Sequence, residues 1–280
     1  MENKDIEIIK FSGEMVKFSE EKLRNSLERS GADASIVEEI IEKVSNELYQ
    51  GISTKEIYNR AFVLLKKSKS HYASKYKLKK AIYELGPTGF PFERFISALL
   101  KYSGFKTEVN TFLQGKCVSH EVDVIAIKNS DYIVIECKFH GDRSNKCDVK
   151  VPLYIASRYK DILDQFSNAN HKRRSPSEGW VVTNTRFTKD ASDYGKCVGL
   201  YLLSWDYPKG DSLKERIDRL GLYPITVSTL LTQREKQFLL SRDVVLCREL
   251  VNDHFYLDHL GISEKRQTKI FSEINALCNI

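Results

Sequence analysis

Three charged residues stand in a part of the sequence that otherwise reads as buried strand. Residues 131–138 are Asp-Tyr-Ile-Val-Ile-Glu-Cys-Lys, an apolar run ending on Glu136 and Lys138. Just upstream, His120-Glu121-Val122-Asp123-Val124-Ile125-Ala126 carries Asp123. Alternate side chains of a strand share a face, so Glu136 and Lys138 point one way and Cys137 the other. A turn at Asn129-Ser130-Asp131 folds Asp123 back beside Glu136. Charges at the end of an apolar strand need partners. One reading is a satisfied ion pair. The other is a metal site: two carboxylates hold a hard cation such as Mg²⁺ through oxygen and leave places for water and a phosphate oxygen. A metal there lowers the pKa of bound water, and a neighbouring lysine orients or deprotonates that water and stabilises charge. That set of groups is what phosphodiester hydrolysis requires. Glu121 is expected to share the face of Asp123 as a spare ligand, and His120 to face away as a structural histidine.

The elements that position these residues follow from periodicity. Strands are expected at 105–112, 117–127, 131–138, 180–183 and 198–203, and helices at 92–102, 150–168 and 187–196. A sheet with helices on both sides fits that order. Before it, Gly86-Pro87-Thr88-Gly89-Phe90-Pro91 breaks the pattern sharply. Upstream of the break lie two short strands, 6–11 and 15–18, around Ser12-Gly13-Glu14. A helix opening on Ser19 as N-cap follows, with further helical patterns at 34–50, 53–69 and 71–85. Ser53 with Glu56 reads as a capping box. Beyond Pro208 the chain reads as helical throughout, and Leu257 to Gln267 has a helix, glycine turn, helix form. The chain is therefore a multi-domain α/β protein.

Asp123 followed by Glu136-x-Lys138 on adjacent strands resembles the PD-(D/E)xK nuclease core. The flanks resemble the Mrr-type restriction endonuclease family over residues 90–207. They are the helix Phe92-Glu93-Arg94-Phe95 running into Ser103-Gly104-Phe105, then Trp180-Val181-Val182-Thr183-Asn184-Thr185-Arg186-Phe187-Thr188, and then Val198 to Leu203. The resemblance implies a restriction-endonuclease-like α/β/α sheet and a Mg²⁺-dependent (or Mn²⁺-dependent) endonuclease acting on DNA. In it, Asp123 and Glu136 would be metal ligands, with the main-chain carbonyl of Cys137 as a further one. Lys138 would be the base or charge stabiliser, and Glu93 a supporting acid.

At the N-terminus, a strand–turn–strand, a helix start and two lysines make a corner able to hold phosphate. Ile8-Ile9-Lys10-Phe11-Ser12-Gly13, Val16-Lys17-Phe18-Ser19, Lys22-Leu23 and Gly51-Ile52-Ser53-Thr54 together resemble the ATP-cone, an allosteric nucleotide-binding domain. The resemblance implies an α+β domain over residues 1–86 that takes ATP or dATP as allosteric ligand. Contacts would come from Ile8, Lys10, Phe11, Val16, Ser19, Lys22 and Thr54, with Lys10 and Lys22 on the phosphates. Cones usually show Lys-Arg-x-Gly where this chain has Lys10-Phe11-Ser12-Gly13, one basic group fewer. Cones act by changing oligomeric state, which implies a homo-oligomer. Residues 211–280 would form a helical C-terminal region.

Composition sets the outer bounds. The chain has 280 residues, 41% hydrophobic and 29% charged, which suits two or three folded domains and argues against disorder. The net charge of +6 permits nucleic-acid binding without demanding it. The basic runs Lys66 to Lys80 and His171-Lys172-Arg173-Arg174 read either as phosphate-contacting or as solvated surface. The six cysteines have no zinc-site spacing and are all read as small buried hydrophobes in a reducing compartment. No apolar run approaches the roughly 20 residues of a membrane span, and the N-terminus shows no secretory h-region, so a cytoplasmic protein without membrane contact is expected. The function these readings converge on is a nucleotide-regulated DNA endonuclease in defence against foreign DNA. A repair or junction-resolving nuclease, or a nucleotide-sensing DNA-binding protein with a retired nuclease core, are the alternatives.

Overall fold

A computed structural model describes residues 6–166, 174–251 and 253–278. In chain order the elements begin with β1 (Glu7–Ile9), β2 (Met15–Lys17), α1 (Glu20–Glu28), α2 (Ala34–Asn46), α3 (Thr54–Ser68), α4 (Ser70–Tyr76) and α5 (Leu78–Tyr83). They continue with α6 (Phe90–Tyr102), β3 (Lys106–Gln114), β4 (Ser119–Lys128), β5 (Asp131–Lys138), α7 (Lys150–Phe166), β6 (Glu178–Thr183), α8 (Lys189–Cys197) and β7 (Tyr201–Leu203). The last are α9 (Leu213–Leu220), α10 (Gln233–Ser241), α11 (Phe255–His259) and α12 (Glu264–Cys278). They form two compact units, each assembled from separated stretches of chain. One comprises Met1–Lys80, Val227–Glu235 and Leu250–Ile280; the other comprises Ala81–Thr226 and Lys236–Glu249.

In the first unit β1 and β2 form an antiparallel hairpin with Ile8 opposite Val16. Gly13, at φ +84°, makes the turn in a conformation that L side chains rarely adopt. Ser19 caps α1 by accepting the Lys22 N–H, and Ser53 caps α3 by accepting the Glu56 N–H at 3.1 Å. Leu27, Val44, Ile52 and Leu65 are fully enclosed beneath the hairpin and helices. The helical pattern over 71–85 is two helices, α4 and α5, with the break at Lys77. The unit closes with α12 against α4. Glu273 of α12, 2% exposed, accepts hydrogen bonds from Ser74 Oγ at 2.8 Å, Ser228 Oγ at 2.6 Å, Thr229 Oγ1 at 2.7 Å and the Thr229 amide at 3.1 Å. Between α11 and α12, Gln267 fixes the turn through Asp258 and the Ile262 carbonyl, and Gly261 takes φ +67°. Leu257 and Ile262 are buried there.

The second unit is built on a five-stranded sheet, order β3-β4-β5-β6-β7. β3, β4 and β5 are antiparallel, while β5, β6 and β7 run parallel. Ile125 and Val134 pack under Ile162 of α7. On the opposite face Thr107 Oγ1 accepts from Ser97 Oγ of α6 at 3.0 Å. Helices thus cover both faces, as the element order predicts. The strand expected over 198–203 is confined to β7, because Gly199, at φ +76°, ends α8 and delays the extended backbone. After β7, α9 opens on a capping box of Ser212 and Glu215. The stretch read as purely helical also holds a β-bridge between Pro224 and Leu246, closed by Ile225 N–H to the Val245 carbonyl at 2.8 Å.

All six cysteines are free thiols. Four are buried, but Cys117 and Cys197 are exposed, against the expectation for all six. Cys117 lies in the turn between β3 and β4, and Cys197 is the last residue of α8; both positions face solvent whatever the side chain. No helix among the described residues is long and apolar enough to cross a membrane.

Candidate active site

Asp123 sits where two hydrogen-bond ladders are interrupted together. The β4–β5 ladder runs from Lys128 opposite Asp131 down to Val124 opposite Ile135 and stops; Asp123 and Glu136 lie one step further on. On the β4 side, in place of a strand partner there, the Cys137 amide finds the Asp123 carboxylate, donating to Oδ2 at 2.7 Å. Across β4, the ladder to β3 skips one position between Val109–Val124 and Thr111–Val122. The residue skipped is Asn110, at φ +51°, a conformation asparagine tolerates better than most. Val122 and Ile125 both reach the core under α7, so the two-residue alternation of β4 slips by one at this point. The slip and the missing pairs give Asp123 a place of its own at the edge of a buried sheet.

Glu136 and Lys138 follow on β5. Glu136 is half-buried and Lys138 exposed. Glu93 arrives from the first turn of α6, whose Phe92, Phe95, Ile96 and Leu99 are buried. The chain beyond Lys138 is held tightly. The Phe139 ring packs on Phe92 and so close to Gly86 that a Cβ there would fall 2.7 Å from it. Asn184, fully buried, accepts the His140 N–H and donates to the His140 carbonyl, both at 2.8 Å, as a neighbouring strand would.

The electrostatics are those of crowded carboxylates short of positive charge. Burial, then the charge of Asp123, lifts Glu136 to about 7, against the opposing pull of Arg158. Burial, then Asp123 and Glu121, lifts Glu93 to about 7. Burial raises Asp123 as well, offset by the Cys137 amide. The Cys137 thiol is pushed far up by burial and stays neutral, so this residue has only its backbone to offer a metal. Among the described residues no three His, Cys, Asp or Glu side chains form a ready chelate. Asp123 and Glu136 supply two carboxylate groups, which suits Mg²⁺ or Mn²⁺, since such ions retain water and take substrate oxygens alongside one or two carboxylates. Beyond burial, the charges of Asp123 and Glu121 push Glu93 up and that of Asp123 pushes Glu136 up, so a cation among them would relieve both.

A pH dependence follows. Glu93 and Glu136 bind protons more tightly folded than unfolded, so in metal-free protein their contribution to stability is complete below about 4.5 and lost as pH rises through about 7. In EDTA the melting temperature should fall between pH 5 and 8, less steeply for Glu136→Gln. An unchanged slope in that variant would remove Glu136 as a source.

Two neighbours of the site escaped the sequence reading. Arg158 of α7 donates from Nη1 to Glu136 Oε2 at 2.7 Å and from Nη2 to the Glu121 carbonyl. Asp161, one turn on, accepts from the Cys117 amide at 2.9 Å and sits 2.8 Å from His120 Nε2. The His120 hydrogen bond is the main reason its carboxyl is held down to about 2. His120 thus serves as a clasp between β4 and α7, in the structural role expected of it. No sequence pattern announced either residue, because a charge on an amphipathic helix reads as solvated surface.

In the first unit, Lys10 leaves β1 at the hairpin turn and pairs with Glu14 at 2.9 Å. Phe11 beside it is 82% exposed. A parallel bridge between Ile9 and Ser53 brings the start of α3, and with it Thr54, next to that strand. Ile8 is buried and Val16 half-buried in the hairpin, and the Ser19 hydroxyl is engaged as the α1 cap. Ser19 and Lys22 follow the open end of the hairpin, about 10 Å of strand from its turn. The backbone therefore gathers Lys10 with Thr54, while Ser19 and Lys22 lie at the other end of the hairpin. Of the basic run 171–174, residues 171–173 lie outside the described residues. Arg174 donates to the Asn129 carbonyl in the β4–β5 turn.

Three comparisons place the chain. Residues 6–84 match the ATP cone domain, residues 87–206 the restriction endonuclease family, and residues 223–278 the family described as AF1548-like, C-terminal. An ATP-cone followed by a restriction-endonuclease domain is thus the class of protein that fold and site define. An uncharacterized protein of Archaeoglobus fulgidus is 30% identical over 179 residues, 64% of this chain and 97% of that protein. The crystal structure of the protein of unknown function AF1548 superposes with a TM-score of 0.55 at 28% identity, covering 69% of this chain and 100% of the other. The chain belongs to the same family as that Archaeoglobus fulgidus protein.

Proposed function

We propose that this protein is a divalent-metal-dependent endonuclease that hydrolyses DNA phosphodiester bonds, under control of an adenine nucleotide, in defence against foreign DNA in the cytoplasm. The observation that supports it best is the double interruption at Asp123, which sets a carboxylate beside Glu136 and Lys138 at the edge of an otherwise apolar sheet. Asp123 and Glu136, with the Cys137 carbonyl, would hold Mg²⁺ or Mn²⁺. Bound there, the ion supplies an activated water and neutralises charge on the reacting phosphate. Lys138, exposed at the strand end, would orient the attacking water and stabilise charge on the reacting phosphate. Glu93, whose carboxyl burial and then the charges of Asp123 and Glu121 push up to about 7, would be the supporting acid that completes the metal shell. The Cys137 amide fixes the Asp123 carboxylate, and Asn184 keeps the segment after Lys138 from moving away from it. Plasmid cleavage with Mg²⁺ or Mn²⁺, with and without ATP or dATP, is the direct test. Activity confined to branched DNA would favour a junction-resolving enzyme, and absence of cleavage under every condition would refute the nuclease.

Residues 1–86 would bind the nucleotide and act through a change of homo-oligomeric state. Lys10→Ala should weaken ATP or dATP binding by about 1.5–3 kcal/mol, the range for a lost charge-assisted contact. Glu14→Gln should strengthen it, since Glu14 competes for the same ammonium. Calorimetry beside light scattering reads both, and equal affinities for all three proteins would take Lys10 out of the site. DNA binding should be strongly salt-dependent. Replacing Lys172, Arg173 and Arg174 by Ala should reduce the slope of log affinity against log salt by roughly 2–3 if all three contact phosphates; an unchanged slope would make that run plain surface.

A further inference from the structure

We propose that Arg158 is a positioning residue that stands in for the metal: its guanidinium holds Glu136 in the metal-free protein and gives that carboxylate up when a divalent cation binds. The proposal rests on the reading of Asp123 and Glu136 as a metal site. Arg158 comes from α7, outside the two strands that carry the carboxylates, and bridges them. One nitrogen reaches Glu136 on β5 and another the Glu121 carbonyl on β4. The side chain is 16% exposed and lies over the Tyr154 ring, 5.4 Å from its centroid. Among the described residues no other ion-pair partner of Glu136 is found, and Lys138 beside it is exposed.

Two cations compete for one carboxylate. A half-buried carboxylate without a partner is costly, so an empty site needs a cation of its own. The guanidinium supplies it with a rigid fork of donors matched to a carboxylate and a carbonyl on adjacent strands. Arg158 engages one oxygen of Glu136, Oε2, and a guanidinium left in place would face the like charge of a cation held by the same carboxylate. Metal binding and the Arg158–Glu136 pair therefore oppose each other. A purely structural salt bridge would support metal binding or leave it untouched, whereas a stand-in opposes it.

The test is Mn²⁺ titration of the full chain by calorimetry without DNA, for wild type, Arg158→Met and Arg158→Lys, with Asp123→Asn as control. Met keeps the packing of the stem and removes the charge. Folded Arg158→Met should bind Mn²⁺ about tenfold tighter or more, the scale of one close charge pair. It should melt lower in EDTA and gain more melting temperature from Mn²⁺ than wild type. Arg158→Lys, which keeps the charge but loses the fork, should fall between the two; it decides the matter if Arg158→Met does not fold. Equal or weaker Mn²⁺ affinity in the folded variants, with Asp123-dependent binding in wild type, overturns the stand-in and leaves the metal site. No Asp123-dependent binding in any of these proteins overturns both.

Discussion

Asp123→Asn, Glu136→Gln and Lys138→Ala should each lower Mg²⁺-dependent plasmid cleavage at least about a thousandfold, the upper range for losing one group that acts on charge developing in the transition state. The fold should persist, because none of the three carries core packing. Asp123→Asn keeps an acceptor for the Cys137 amide and changes only the charge. If the three groups serve one chemical step, a double variant should lose little beyond the worse single one. A Glu136→Gln protein that cleaves as wild type does would remove the site assigned here.

The second large effect concerns stability. Glu273→Leu should destabilise the unit that contains α4 and α12 by about 3 kcal/mol. It leaves the hydroxyls of Ser74, Ser228 and Thr229 and the Thr229 amide without their acceptor in a space closed to water. Glu273→Gln keeps one oxygen and should cost about half as much. Urea unfolding followed by circular dichroism reads the difference, and a transition for Glu273→Leu within about 0.5 kcal/mol of wild type would show that water reaches these groups after all.

Much of the site was legible because its signal is local. An apolar run ending on Glu136 and Lys138, with Asp123 on the strand before, contradicts ordinary burial and asks for an explanation. The Ser19 and Ser53 caps and the turn at Gly13 are equally local, and the structure shows each of them. What the sequence did not disclose depends on distant partners. The slip in β4 arises opposite Asn110, an ordinary residue in its own strand. Arg158 lies 22 positions beyond Glu136 on a helix whose charges look solvated. The stretch beyond Pro208 was helical as expected for the most part, but periodicity does not say which surface a helix buries. Residues 250–280 join the unit of the N-terminal hairpin, 199 positions away at the Ser74–Glu273 bond.

That return of the chain bears on how the molecule can be dissected. The polypeptide passes between its two compact units at Lys80, Thr226, Glu235 and Glu249. A fragment ended at Gly86 would lack residues 227–235 and 250–280, and Ser74 of α4 would meet water or another molecule where Glu273 belongs. Such a fragment should express poorly or aggregate, and a failure to bind nucleotide in that form would say nothing about the intact protein. Conversely, a protease nick in a surface loop of the nuclease domain should leave both halves of the chain travelling together on a sizing column, because each contributes to the hairpin's unit. An isolated version of that unit needs residues 6–80, 227–235 and 250–278 spliced through artificial linkers, an engineering problem of three pieces and two joins.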